Sequence, residues 1–106
     1  MLTKEQYFMS NIYPLGSVVT LKDGTQKVMI IGRGVVTNGD EGKEFFDYVA
    51  CLYPAGIFNE QMIYFNQENI DHCFFKGFSD EEEAAFDEVY PSLVAKLPED
   101  VKRGEV

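Results

Sequence analysis

A chain of 106 residues, 45% hydrophobic and 14% aromatic, is long enough for one domain with a sizeable core and too apolar to be disordered. Eighteen acids against nine bases leave a formal charge of −9, which disfavours nucleic acid and anionic membrane as partners, since both demand positive charge from the protein. No apolar run reaches the length of a membrane span, and the N-terminus lacks the apolar region of a signal peptide; the expectation is a cytoplasmic protein without membrane insertion.

In chain order, Leu2 to Ser10 reads as a short helix, with Thr3 as N-cap, Gln6 completing a capping box, and Leu2 and Tyr7 placed to close a hydrophobic staple. Asn11 to Leu15 leads out extended, because the residue before Pro14 is pushed from helical geometry. Gly16 to Val36 reads as two apolar strands joined by a tight turn at Lys22-Asp23-Gly24-Thr25, where a type I′ turn asks for positive φ at both central positions. Val28 to Ile31 is apolar at four successive positions and predicts a central strand covered on both sides. Gly32 and Gly34 around Arg33 predict a bulge or a close backbone approach at the end of that strand. A lone Gly-x-Gly is no phosphate loop, having neither a lysine nor a following helix.

Thr37 to Glu44 is polar and glycine-rich and reads as an exposed connection, without the carboxylate alternation of a calcium loop. The third strand, Glu44 to Tyr53, puts Phe45, Asp47, Val49 and Cys51 on one face and Phe46, Tyr48, Ala50 and Leu52 on the other. Asp47 breaks an apolar row, so it must reach solvent or hold a partner, for which Arg33 is a candidate. Pro54-Ala55-Gly56 turns the chain, Met62 to Phe65 forms a fourth strand, Asn66 caps a single helical turn, and Asp71 to Phe78 forms a fifth strand. Ser79 then caps a helix, with Glu82 as its box partner and apolar positions Phe86, Val89, Leu93 and Leu97, flanked by Tyr90 and Val94. Pro91 predicts a kink, or a break at Tyr90, and Pro98 the end. The expected fold is α+β: a strongly bent five-stranded antiparallel sheet, a partly open SH3-like barrel, with the short N-terminal helix and the C-terminal helix over one opening or face. A plain sheet covered on one side by the C-terminal helix is the alternative. Residues 1–98 form one domain and 99–106 a polar tail.

Chemistry is sparse. His72 is the only histidine and adjoins Cys73 in a strand, where neighbours point to opposite faces. Cys51 and Cys73 read as reduced core thiols, with a Cys51–His72 meeting across the sheet as the sharper alternative. No catalytic set, metal site or cofactor is expected, and the chain is read as no enzyme. Arg33 could anchor a partner carboxylate, or form an internal ion pair with Asp47 or a helix acid. Glu81, Glu82 and Glu83 form either a solvated face or an acidic docking surface. Tyr48, Tyr53, Tyr64, Phe65 and Phe75 are read chiefly as core; with fifteen rings in all, however, burial of every one is not expected, and Tyr48, Tyr53 and Tyr64 are candidate interface anchors.

Several stretches resemble a family of small uncharacterised proteins of Gram-positive bacteria encoded with type VII (Esx/WXG) secretion genes and their LXG-type effector toxins. They are Tyr13-Pro14-Leu15-Gly16-Ser17-Val18-Val19, Lys27 to Gly34, Phe46 to Gly56, Phe65-Asn66 with Asn69-Ile70-Asp71, and Gly77-Phe78 running into the acidic helix. The resemblance covers about residues 13 to 88 and implies an accessory role, an effector-specific chaperone or export adaptor, with a protein partner (effector or secretion component) and no enzyme activity. An immunity protein that occludes a cognate toxin, and a small enzyme, are the other readings.

Overall fold

β-Branched and aromatic residues in runs separated by Gly, Pro and Asp make a sheet the natural outcome of this chain. The structure, a computed structural model, describes residues 12–106; the helix expected over Leu2 to Ser10 lies outside the described residues. Six strands and one helix follow: β1 (Val18–Leu21), β2 (Val28–Gly39), β3 (Gly42–Leu52), β4 (Ile63–Phe65), a 3₁₀ turn (Gln67–Asn69), β5 (Ile70–Phe75), α1 (Glu81–Ala95) and β6 (Lys102–Arg103). The sheet runs β4-β3-β2-β1-β5, antiparallel throughout, with β6 joining β3 in parallel at Glu44 and Phe45.

The α+β class holds, with six strands in place of the expected five. The sheet remains open, because β4 pairs only with β3 and β5 only with β1 among the described residues. Barrel closure needs edge strands that reach one another, and β4 extends only over Ile63–Phe65.

The principal hairpin is β2–β3, with pairing from Val28↔Leu52 to Gly39↔Gly42 and a connection through Asp40 and Glu41 alone. The polar stretch Thr37 to Glu44, expected as an exposed connection, is exposed from Asp40 to Lys43 but forms the paired tip of a long hairpin. The expected tight turn at Lys22–Thr25 is instead the start of a wider connection that reaches Lys27. Its Gly24 N–H donates to Leu21 O at 3.1 Å, and the left-handed residue is Asp23 (φ 66°), a conformation Asp tolerates. The expected bulge is present as a register shift between Ile30 and Gly32, although β2 continues past it. Gly34 has φ 63°, and a Cβ there would stand 3.2 Å from the Tyr90 ring, so the helix comes down where the strand offers no side chain.

The core collects Ile12, Val19, Val28, Ile30, Phe45, Tyr48, Ala50, Phe65 and Tyr90. β3 is buried without interruption from Phe45 to Cys51, whereas β2 alternates buried Val28 and Ile30 with half-buried Met29 and Ile31. The strand covered on both faces is therefore β3, and β2 has one dry face.

Helix α1 begins one residue later than expected: the Asp80 carboxylate, not Ser79, accepts from the N–H groups of Glu82 and Glu83 at 3.0 and 3.1 Å. Glu81, Glu82 and Glu83 then lie in the first turn, where carboxylates suit the helix dipole. The helix passes through Pro91 without a break. Proline inside a helix costs about 3 kcal/mol, and burial of Tyr90 with Phe86, Val94 and Leu97 packed against the core offsets it. Val89 and Leu93, assigned to the same stripe from the sequence, are half exposed.

The C-terminal stretch is not a free tail. Lys102 and Arg103 form β6, and Gly104 N–H donates to Phe45 O at 2.7 Å. A Cβ on Gly104 would fall 2.2 Å from the Phe46 ring, so only glycine lets this backbone lie against that aromatic face.

Candidate functional site

Two places concentrate polar or exposed groups: a buried junction on β3, and a surface formed by β5 with the segments beside it.

At the junction, Asp47 is fully buried. Its carboxylate accepts from Arg103 at 2.8 Å, from the Tyr90 hydroxyl at 3.0 Å and from Gln67 N–H at 2.8 Å. Arg103 also reaches Glu68 at 2.6 Å. The Asn66 side chain accepts from Asp47 N–H at 3.0 Å and donates to Gly104 O at 2.7 Å, while Asn69 accepts from Asn66 N–H at 2.9 Å and fixes the 3₁₀ turn. The Tyr48 hydroxyl donates to Gln67 and accepts from Tyr13 N–H. Four segments distant in sequence are thereby tied to the middle of β3. Among the described residues every buried side-chain nitrogen and oxygen has a partner.

Burial pushes the Asp47 carboxyl above its ordinary range, and the hydrogen bonds from Gln67, Arg103 and Tyr90 only partly oppose it. Burial would also raise Glu68, but hydrogen bonding and charge from Arg103 bring it below its ordinary value. Burial, reinforced by the neighbouring Asp47 charge, raises both Tyr48 and Tyr90 well above the usual phenol range. A carboxylate enclosed by an arginine, a tyrosine and a backbone amide is held in place; its lone pairs are already occupied by groups of the fold.

Of the residues singled out from the sequence, Arg33 and Glu83 meet each other. The guanidinium holds the carboxylate through two contacts, at 2.5 and 2.8 Å, lies over the Phe86 ring 4.3 Å from its centroid and donates to Tyr13 O. Their side chains are 8% and 13% exposed, so this is the internal ion pair with a helix acid, not an anchor presented to a partner. Asp47 is claimed by Arg103 in place of Arg33. Tyr48 has no exposed surface and stacks on Phe65 with ring centroids 5.3 Å apart, so it is no interface anchor. Tyr64 is half-buried against Phe46, Tyr53 is exposed, and Glu81 and Glu82 face solvent.

Cys51 is buried and Cys73 half-buried, both as free thiols. Cys51 pairs with Met29, Met29 with Val18 and Val18 with Phe75, so β2 and β1 separate Cys51 from β5 and its exposed His72. The imidazole packs edge-on against Phe74.

The exposed aromatic surface was missed in the sequence. Phe74, Phe75 and Phe78 are 51%, 62% and 78% exposed, and Phe75 in particular is not a core residue. The Lys27 ammonium lies 4.7 Å from the Phe74 ring centroid, and Lys27 O accepts from Tyr53 N–H, which links this strip to the exposed Tyr53. A second exposed apolar group, Ile57, Phe58 and Met62, lies in the loop before β4. For Phe74 and Phe75 the relevant signal is strand order, and edge position cannot be read from a local run.

A family model described as a domain of unknown function (DUF4176) matches residues 12–86. The match takes in β1 to β5 and the start of α1, and stops short of Tyr90 and Arg103. No curated protein and no solved structure matches the chain.

Proposed function

The chain belongs to the DUF4176 family, and we propose that this protein is a non-enzymatic protein-binding accessory factor, a chaperone or export adaptor for a type VII secretion effector, acting in the cytoplasm. One observation carries the binding role: large aromatic side chains stand exposed at β5 and just after it, while every buried side-chain nitrogen and oxygen among the described residues has a partner within the fold. Phe74 and Phe75 end the edge strand β5 and Phe78 follows three residues later, and large exposed rings are typical of protein–protein contact surfaces. The charge of −9 suits a basic partner. No helix among the described residues is long and apolar enough to cross a membrane. The secretion context rests on the resemblance of the Tyr13–Val19, Lys27–Gly34 and Phe46–Gly56 stretches.

The test is co-expression with the neighbouring effector cut into halves. Retention of the N-terminal targeting half is the expected result. Retention of the C-terminal toxic half would assign an immunity role instead, and retention of neither would remove the binding reading.

A further inference from the structure

An apolar groove runs between α1 and β2, and we infer that the chain's own amino-terminal segment, Met1 to Asn11, lies over it with the Phe8 ring inside. The contact is made within one chain and owes nothing to the binding role proposed above.

The groove encloses about 130 Å³ and is lined by Gly34, Phe45, Phe86, Tyr90, Leu93 and Leu97. An apolar space of about this size takes one benzene ring. Gly34 brings no side chain to the strand wall, and Leu93 on the helix wall is half exposed.

The path of the chain into the core selects the occupant. Ile12 is buried in the same cluster as Phe45 and Tyr90, two of the groove's walls. Its N–H donates to the Asp87 carboxylate at 3.2 Å, next to Phe86 on α1. Tyr13 O accepts from Arg33, whose guanidinium lies over the Phe86 ring. The segment before Ile12 therefore leaves from the rim of the groove itself. From Phe86 to Leu97 the helix axis advances about 16 Å. Eleven residues cover roughly that distance even when coiled as a helix, and about 36 Å when extended. Phe8 stands four positions before Ile12, a spacing that keeps the two on one face at either strand or helical periodicity. A ring tethered this close to its anchor meets the groove at an effective concentration on the order of millimolar. A second copy or a separate protein has to displace it.

The test is solution NMR of the full chain alone, reading nuclear Overhauser contacts between the Phe8 ring and the methyl groups of Leu93 and Leu97. Contacts to both leucines are expected, equal in strength at low and high protein concentration. Leu93→Asp, which alters the facing wall, should lose the Phe8–Leu97 contact. Phe8→Asp should shift the Leu93 and Leu97 methyl resonances through loss of the ring current, whereas Tyr7→Asp, one position off that face, leaves them in place. Slow amide exchange over Phe45–Cys51 is expected in all three variants and shows the fold intact. Absence of the Phe8 contacts from the wild-type chain would overturn the inference, and contacts from an added effector half to Leu93 and Leu97 would then give the groove to a separate protein. Contacts that strengthen with concentration and join differently labelled chains would give it to a second copy and overturn the inference equally. So would a Tyr7→Asp variant that shifts the leucines as far as Phe8→Asp does.

Discussion

β3 and β5 are built from similar residues and meet opposite fates. From Phe45 to Cys51 every residue of β3 is buried, Asp47 included, whereas no residue of β5 is buried and Phe75 is mostly in solvent. Composition does not decide the difference; position in the sheet does. β3 has β2 along one side and both β4 and β6 along the other, with Tyr90 of α1 reaching its Asp47. β5 has a single neighbour. The first arrangement yields a clamped centre, the second an edge strand with exposed rings and two register shifts against its one neighbour.

The contrast can be broken most severely with alkali. Tyr48 and Tyr90, at the centre, have their hydroxyls raised well above the ordinary value of 10.0 by burial and by Asp47. The unfolded chain therefore releases protons that the folded chain retains. Their contribution to stability is fully present below about pH 10 and is lost as pH rises beyond it. Phenolate absorbance from these two rings is expected only together with loss of the far-ultraviolet dichroism. Titration of every tyrosine near pH 10 with the fold intact would show that the centre is not closed.

Removing one partner of the buried pair comes next. Arg103→Ala leaves Asp47 enclosed without its guanidinium and should cost about 3 kcal/mol in urea unfolding, read as a lower midpoint. Gly104→Val, which drives a side chain into the Phe46 ring, should cost about 2 kcal/mol in the same measurement. Asp80→Ala, which removes the helix cap, should cost about 1 kcal/mol. At the other end of the scale, Phe75→Lys should change stability by less than about 0.5 kcal/mol while abolishing partner capture. A large destabilisation by Phe75→Lys would make β5 part of the core after all.

Much of the fold was legible because the signals were local. Alternation and β-branching locate the strand cores, Gly32 and Gly34 point to a bulge or a close approach without saying that α1 makes it, and Asn66 begins the 3₁₀ turn. Asp47 stands out as a carboxylate that must reach solvent or hold a partner, and full burial leaves the second. Its partner, Arg103, was hidden because it comes from a polar stretch with no periodicity of its own, which adheres to β3 through Gly104 and Asn66. The Arg33 ion pair was foreseen as one of two outcomes, and only packing could choose Glu83 over Asp47. Edge position, which decides what Phe74 and Phe75 do, depends on strand order, and no window of sequence contains it.

Amide hydrogen exchange of the full chain, alone and with its captured partner, tests the central claim most directly. The expected result is new protection over Ile70–Phe75, with the slow exchange of Phe45–Cys51 unchanged. New protection confined to the Tyr53–Met62 loop, or none on β5, would contradict it.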